Sequence, residues 1–157
     1  WPELSKTFLV LLMFIGACAG STGGGLKVSR ILISVKSIAK ELCLMVHPRQ
    51  RKKVIIDKRP VENEVVRATN VYMVCYVIVF TVSLLLVSIE NHSFVTNFTA
   101  VTATINNIGP GLDLVGPTQN FAFFTPFTKI VLIFDMLVGR LELFPMLVLL
   151  FPSTWKK

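Results

Sequence analysis

The stretch Ile105-Asn106-Asn107-Ile108-Gly109-Pro110-Gly111 decides how the rest of the chain is read. Asparagine, glycine and proline side by side exclude a continuous helix or strand through these residues. The segments on either side are strongly apolar, in a chain that is 53% hydrophobic. Irregular backbone at membrane depth is tolerated only where protein buries it or where it lines a water-filled cavity. In such a cavity the groups on offer are carbonyl oxygens, and a ring of carbonyls replaces the hydration shell of a cation. Asn106, Asn107, Ile108 and Gly109 are therefore candidates for an ion filter. A tight outer turn between two spans accounts for the same residues, and composition alone does not separate the two readings.

Hydropathy supports a membrane setting. Mean hydropathy is +0.67, and only 16% of residues are charged. Val71 to Ile89 carries no charged residue, a run long enough to cross roughly 30 Å of hydrocarbon as a helix. It lies mid-chain with no cleavage pattern after it, unlike a signal peptide. The net charge of +7 raises nucleic acid as a partner, but the placement of the charges argues against it. Lys27, Arg30, Lys36, Lys40, Arg49, Arg51, Lys52, Lys53, Lys58, Arg59 and Arg67 all fall in one segment between apolar runs. That clustering follows the positive-inside rule and puts residues from about 36 to 66 in the cytoplasm, beside the lipid bilayer. Cys18, Cys43 and Cys75 have no paired spacing, so neither a disulfide framework nor a zinc site is expected. A start at Trp1 rather than Met reads as a piece of a longer protein.

Upstream, Phe8 to Ala19 is apolar and stops at Gly20-Ser21-Thr22-Gly23-Gly24-Gly25, and apolar periodicity resumes from Leu26 through Ile38. Each glycine costs a helix about 1 kcal/mol relative to alanine, so this run breaks the helix. A span interrupted near mid-membrane by a loop is the expectation. Close helix packing through Gly16, Gly20 and Gly24 remains open, and a plain linker fits the apolar flanks poorly. Pro48 and Pro60 interrupt the basic segment, where Val54-Ile55-Ile56 and the following Asp57-Lys58-Arg59-Pro60 read as a short strand and turn.

Ser93 to Ile105 mixes Phe94, Val95, Phe98 and Val101 with four threonines. As a helix it reaches about 20 Å at 1.5 Å per residue. It falls short of the bilayer, so it enters and turns back at residues 106–111. The C-terminal end of such a helix presents the negative end of its dipole, which favours the same sign of charge as the carbonyls that follow. Residues 112–128 return outward with turns at Gly116-Pro117 and Pro126, and Phe121, Phe123, Phe124 and Phe127 are expected at the interface. The last span, from about Lys129 to Leu150, contains Asp135, Arg140 and Glu142. Each charge near mid-membrane costs roughly 2.5–3.5 kcal/mol, against about 0.3–0.6 returned by each large apolar residue. The charged side must face protein or water, which makes Arg140 a candidate functional residue. A structural ion pair of Arg140 with Asp135 or Glu142 is the plainer alternative. Asp135 and Glu142 also share a helix face, but no nucleophile or metal set accompanies them, so a membrane enzyme using this pair is a remote alternative.

Taken together, Gly-Ser-Thr-Gly-Gly-Gly-Leu-Lys-Val at 20–28, His-Pro-Arg at 47–49, Asn-Asn-Ile-Gly-Pro-Gly-Leu at 106–112, Gly-Arg-Leu-Glu-Leu-Phe at 139–144 and Phe-Pro-Ser-Thr-Trp at 151–155 closely resemble the C-terminal part of the Trk-type potassium transporters, within the Trk/Ktr/HKT superfamily. The resemblance runs in family order over essentially the whole chain. It implies an all-α membrane protein built from helix–pore-loop–helix repeats of potassium-channel type, with about one and a half repeats present. Residues 1–39 would be the glycine-interrupted second helix of the third repeat and residues 40–66 a cytoplasmic basic linker. Residues 67–157 would be the complete fourth repeat, with a helix at 67–90, a pore helix at 93–105, a filter at 106–111 and a last helix at 129–151.

The same resemblance implies potassium held at Asn106, Asn107, Ile108 and Gly109. It makes Ala19, Gly20, Ser21, Thr22, Gly23, Gly24 and Gly25 the gate loop and Arg140 a pore-facing charge. Asp135 and Asp113 depart from the family pattern, which usually has a small or apolar residue at the first position and glycine at the second. The implied function is potassium uptake across the plasma membrane, the inner membrane in a bacterium, by a multi-pass, channel-like transporter. Its partners would be the remaining repeats of the same transporter, a second copy in a homodimer and a cytosolic nucleotide-binding regulatory subunit. No cofactor is implied beyond potassium as the transported ion, and no enzyme activity is expected. A non-conducting structural fragment of such a transporter is the competing reading.

Overall fold

Several of the described helix ends fall at prolines and asparagines, as at Pro2, Asn63, Asn106 and Pro126. The computed structural model describes residues 2–16, 18, 24–47, 53–56, 59–141 and 143–150. Helix α1 runs Glu3–Met13 and α2 runs Val28–Val46. The chain between them is not helical where it is described, at Gly16, Cys18 and Gly24 to Lys27. Ala19, Gly20, Ser21, Thr22 and Gly23 of the expected gate loop lie outside the described residues. Helix α2 continues past residue 39, where the linker was expected to begin, because no glycine or proline interrupts Ala39 to Val46. It stops at His47, whose φ of −130° and ψ of 77° leave the helical region. The residue before a proline is pushed out of that region by the ring, and Pro48 follows.

A two-residue antiparallel pair, β1 (Ile55–Ile56) with β2 (Arg59–Pro60), is the one sheet among the described residues. Lys36 Nζ ties it to α2 by donating to the Ile55 carbonyl at 2.7 Å. Helix α3 spans Asn63–Val87, starting earlier than the expected residue 67, and a 3-10 turn extends it to Glu90. Asn91 ends it in the left-handed conformation, φ 57°, a position asparagine tolerates better than other non-glycine residues. The stretch Asn63–Glu90, whose most apolar 18-residue window has a mean hydropathy of 2.4, is the one helix among the described residues long and apolar enough to cross a membrane.

Helix α4 (Phe94–Ile105) is short and enclosed, followed by 3-10 turns at Asp113–Val115 and Phe121–Phe123. The expected last helix is helical on both sides of Glu142, which lies outside the described residues: α5 (Pro126–Leu141) and α6 (Leu143–Leu150). One apolar cluster joins Leu26, Tyr72, Tyr76, Ile105, Val138 and Leu143, and a second joins Val87, Ala100, Val101, Val115, Phe124 and Leu132. Phe124 is thus packed inside, at 2% exposure, rather than at an interface. Helix α4 contributes to both clusters and so sits between α3 and α5 along its length.

Candidate functional site

Thr96, Thr99, Thr102 and Thr104 are all buried on α4. A buried hydroxyl without a partner is costly, and the helix backbone supplies the partners. Thr99 donates to the Val95 carbonyl at 2.7 Å, Thr102 to Phe98 at 2.7 Å and Thr104 to Ala100 at 2.9 Å. Ser93 caps the N-terminus by accepting from the Thr96 N–H at 3.2 Å.

At its other end α4 closes in a Schellman turn. Asn107 takes the left-handed conformation, φ 53°. Its N–H donates to the Thr104 carbonyl at 3.0 Å, and the Ile108 N–H donates to Ala103 at 2.9 Å. This 5→2 and 6→1 pairing satisfies the carbonyls that a helix end leaves open. It also turns the next peptide groups away from the helix. Among the described residues, the carbonyls of Asn106, Asn107, Ile108, Gly109 and Pro110 receive no hydrogen bond. Ile108 is 42% exposed, and Gly109, at φ +107°, has open space around it.

The asparagine side chains hold this turn in place from behind. Asn106 Oδ1 accepts from the Tyr76 hydroxyl of α3 at 3.0 Å, while its Nδ2 donates to the Thr102 carbonyl at 3.0 Å. Asn107 Nδ2 donates to the Met136 carbonyl of α5 at 3.1 Å. Tyr76→Phe leaves the buried Asn106 oxygen unpaired, an expected loss of about 1–2 kcal/mol. Thermal or denaturant unfolding of the purified protein in detergent measures it; an unchanged midpoint would count against this hydrogen bond.

Three glycines bring the other candidate residues to the same place. A β-carbon on Gly139 would lie 1.9 Å from the Ile105 carbonyl oxygen and 2.6 Å from Asn107 Nδ2. Glycine alone lets α5 approach the end of α4 this closely. Gly25 donates its N–H to the Gly139 carbonyl at 3.3 Å, and its Cα faces Asn106 so closely that a β-carbon would come 2.6 Å from Oδ1. A β-carbon on Gly24 would come within 2.8 Å of Asn107. Gly24, Gly25, Asn106, Asn107 and Gly139 therefore form one packed cluster, and Arg140 is the residue after Gly139 in α5.

The outer end of the stretch is tied as well. Leu112 donates its N–H to Thr99 Oγ1 at 3.0 Å, and Gly111 donates to the Val115 carbonyl at 2.7 Å. Asp113 takes a φ of 57°, which costs a non-glycine residue of order 1 kcal/mol or more. Its Oδ2 accepts from Ser93 Oγ at 2.5 Å and from Thr96 Oγ1 at 2.8 Å, each worth roughly 1 kcal/mol when partly exposed. These bonds offset the backbone cost. The Ser93 hydroxyl, then that of Thr96, with Lys6 a lesser influence, holds the Asp113 carboxyl below the usual carboxylate range. It stays ionised at neutral pH.

Asp135 takes no part in this cluster. It is fully buried and accepts from Ser83 Oγ of α3 at 2.6 Å. Glu142, the other member of the expected acid pair, lies outside the described residues. Sequence reasoning passed over Tyr76, Met136 and Gly139 as partners of the asparagines. The signal for Gly139 was present, as a glycine inside an apolar helix directly before Arg140. The Met136 contact is made by a backbone carbonyl and carries no signature in residue type.

Comparison with known proteins agrees along the whole length. The TrkH family model, described as a cation transport protein, matches residues 1–157. The Trk system potassium uptake protein TrkH of Salmonella typhimurium is 41% identical over 157 residues, covering 100% of this chain and 32% of the relative. Its Escherichia coli counterpart is 40% identical over 157 residues, again 100% of this chain and 32% of the relative. The crystal structure of the potassium transporter TrkH from Vibrio parahaemolyticus superimposes with a TM-score of 0.88 at 39% identity, covering 99% of this chain and 33% of that one. The chain thus spans about a third of the length of the curated relatives it matches, 32% in each case. Matched by the family model from its first residue to its last and sharing the fold of a solved member, the chain belongs to the TrkH family of cation transport proteins.

Proposed function

We propose that this chain is the part of a potassium uptake transporter that supplies one quarter of a carbonyl-lined filter and the glycine loop beneath it. The observation that carries the reading is the run of five carbonyls, Asn106 to Pro110, which accept no hydrogen bond among the described residues and follow the C-terminal end of a short, enclosed helix. Carbonyls left open in this way coordinate a dehydrated cation, and the negative end of the α4 dipole adds to the attraction. Potassium is the ion named for the relatives of Salmonella and Escherichia coli.

In this reading α3, α4 with the filter, and α5 with α6 make one repeat of potassium-channel type. Residues 1–39 complete the preceding repeat, and residues 40–66 form the cytoplasmic linker. The earlier repeats of the same transporter close the ring of carbonyls, and the whole is a multi-pass protein of the plasma membrane, acting as a homodimer with a cytosolic nucleotide-binding regulatory subunit. The gate is the loop from Ala19 to Gly25. Its described members, Gly24 and Gly25, touch the side chains of Asn106 and Asn107, so a displacement of the loop reaches the filter directly. Arg140, exposed in this chain one residue beyond that contact, sets a positive charge beside the ion path.

The test is potassium uptake by cells that lack other uptake systems and express the intact protein. Restored growth at low potassium supports the transport reading, and none at normal membrane abundance favours a non-conducting structural piece. In the same assay Arg140→Ala is expected to raise the uptake rate several-fold, the effect of removing about 1 kcal/mol of repulsion from the ion path. An unchanged rate assigns Arg140 a purely structural part.

A further inference from the structure

We propose that Asp113 is a positioning residue that latches the outer leg of the filter to the start of α4. The inference rests on the filter reading given above. A loop that holds an ion through backbone oxygens must be fixed at both ends, because the oxygens have no side-chain rotamer of their own to lock. The inner end is held by Asn106 on Tyr76 and by Asn107 on the Met136 carbonyl. At the outer end, one oxygen of Asp113 receives both Ser93 and Thr96, at 2.5 and 2.8 Å.

Ser93 is also the N-cap of α4, through its bond from the Thr96 N–H. The latch therefore joins the first turn of α4 to the residue two positions beyond Gly111, and the filter is the span between. A carboxylate beside a helix N-terminus is favoured by the dipole as well. Asp113 holds a left-handed backbone that glycine would adopt without strain, yet glycine would supply no acceptor for the two hydroxyls. The side chain is what this position adds. Lys6 and Glu3 of α1, themselves paired at 2.7 Å, line the same cleft as Ser93 and Asp113, so the carboxylate does not face the outside as an isolated charge.

Latch and charge make different predictions for asparagine. Asp113→Asn keeps an oxygen able to accept both hydroxyls and removes the charge, whereas Asp113→Ala removes both. The ratio of potassium to sodium uptake is measured in the intact protein for Asp113→Asn, Asp113→Ala and the double variant Ser93→Ala/Thr96→Ala, with Gly109→Ser as the control on the filter. Displacement of a preorganised group by about 1 Å costs on the order of a hundredfold, and a loop still held at its inner end is expected to lose about tenfold. Asp113→Ala and the double variant should both show that loss, and combining them should add little, as for groups in one network. Asp113→Asn should stay within about twofold of the parent.

Equal losses in Asp113→Asn and Asp113→Ala would overturn the latch in favour of a charge effect. A normal ratio in Asp113→Ala beside a lowered one in Gly109→Ser would overturn the latch and leave the filter standing. A normal ratio in Gly109→Ser as well would remove the filter reading and this inference with it. If Asp113→Ala fails to reach the membrane, Asp113→Asn against the Ser93/Thr96 pair decides the same question.

Discussion

Gly139→Ala is expected to abolish uptake and sharply reduce the yield of folded protein, although alanine is the better helix former. Two effects oppose each other. Alanine gains about 1 kcal/mol over glycine in a helix interior. Its β-carbon, however, would sit 1.9 Å from the Ile105 carbonyl oxygen and 2.6 Å from Asn107 Nδ2. The first neighbour is backbone at the end of an enclosed helix and has no rotamer into which to retreat. Overpacking of a tight contact costs about 1–3 kcal/mol and sometimes more, and this contact belongs at the upper end or beyond it. Relief requires α5 to move away from α4, which takes the Met136 carbonyl from Asn107 and the Gly139 carbonyl from Gly25. Thermal unfolding in detergent and uptake per unit of membrane protein report the two consequences separately. An alanine variant of normal or raised stability would show that α4 and α5 do not approach as described.

Gly109→Ser is expected to leave the protein folded and to weaken discrimination between potassium and sodium. No atom lies within 4 Å of the place a β-carbon would occupy, so the substitution meets no steric neighbour. The cost is in the backbone. A φ of +107° is open to glycine and strained for serine, by about 1–3 kcal/mol. The local backbone relaxes instead, and the carbonyls of Ile108 and Gly109 rotate with it. Since about 1.4 kcal/mol is a factor of ten, a loss of selectivity on the order of tenfold follows if these oxygens hold the ion. The measurement is competitive uptake of the two cations, with membrane abundance as control. Unchanged selectivity would remove residues 106–109 from the ion path. Gly109 and Gly139 thus fail in different ways, one by conformation and one by space.

Much of the architecture was readable from residue type and order. The uncharged run Val71 to Ile89 lies in α3 and the 3-10 turn that extends it, because an uncharged, mostly apolar run of this length leaves few alternatives to a buried or membrane helix. The asparagine–glycine–proline stretch lies between helices, because those residues cannot continue one. The helix boundaries were less legible. Helix α2 ran on to Val46 and ends at His47, the residue that the ring of Pro48 keeps out of the helical region. Phe124 was misplaced because its position depends on how the return segment folds back onto Val87 and Leu132, which aromatic content does not encode.

By itself the sequence determined the kind of element and its place in the order: apolar helices, a break at the glycines, and a turn of bare peptide groups after a short threonine-rich helix. These are local consequences of propensity, side-chain hydrogen bonding and hydropathy, all carried by neighbours in the chain. Tertiary structure alone decided which distant groups hold the turn. Tyr76 reaches Asn106 across 30 positions and Met136 reaches Asn107 across 29, while Ser93 and Asp113 close the outer end across 20. Such pairings depend on how three helices pack, and the closeness of that packing rests on the missing β-carbon of one glycine.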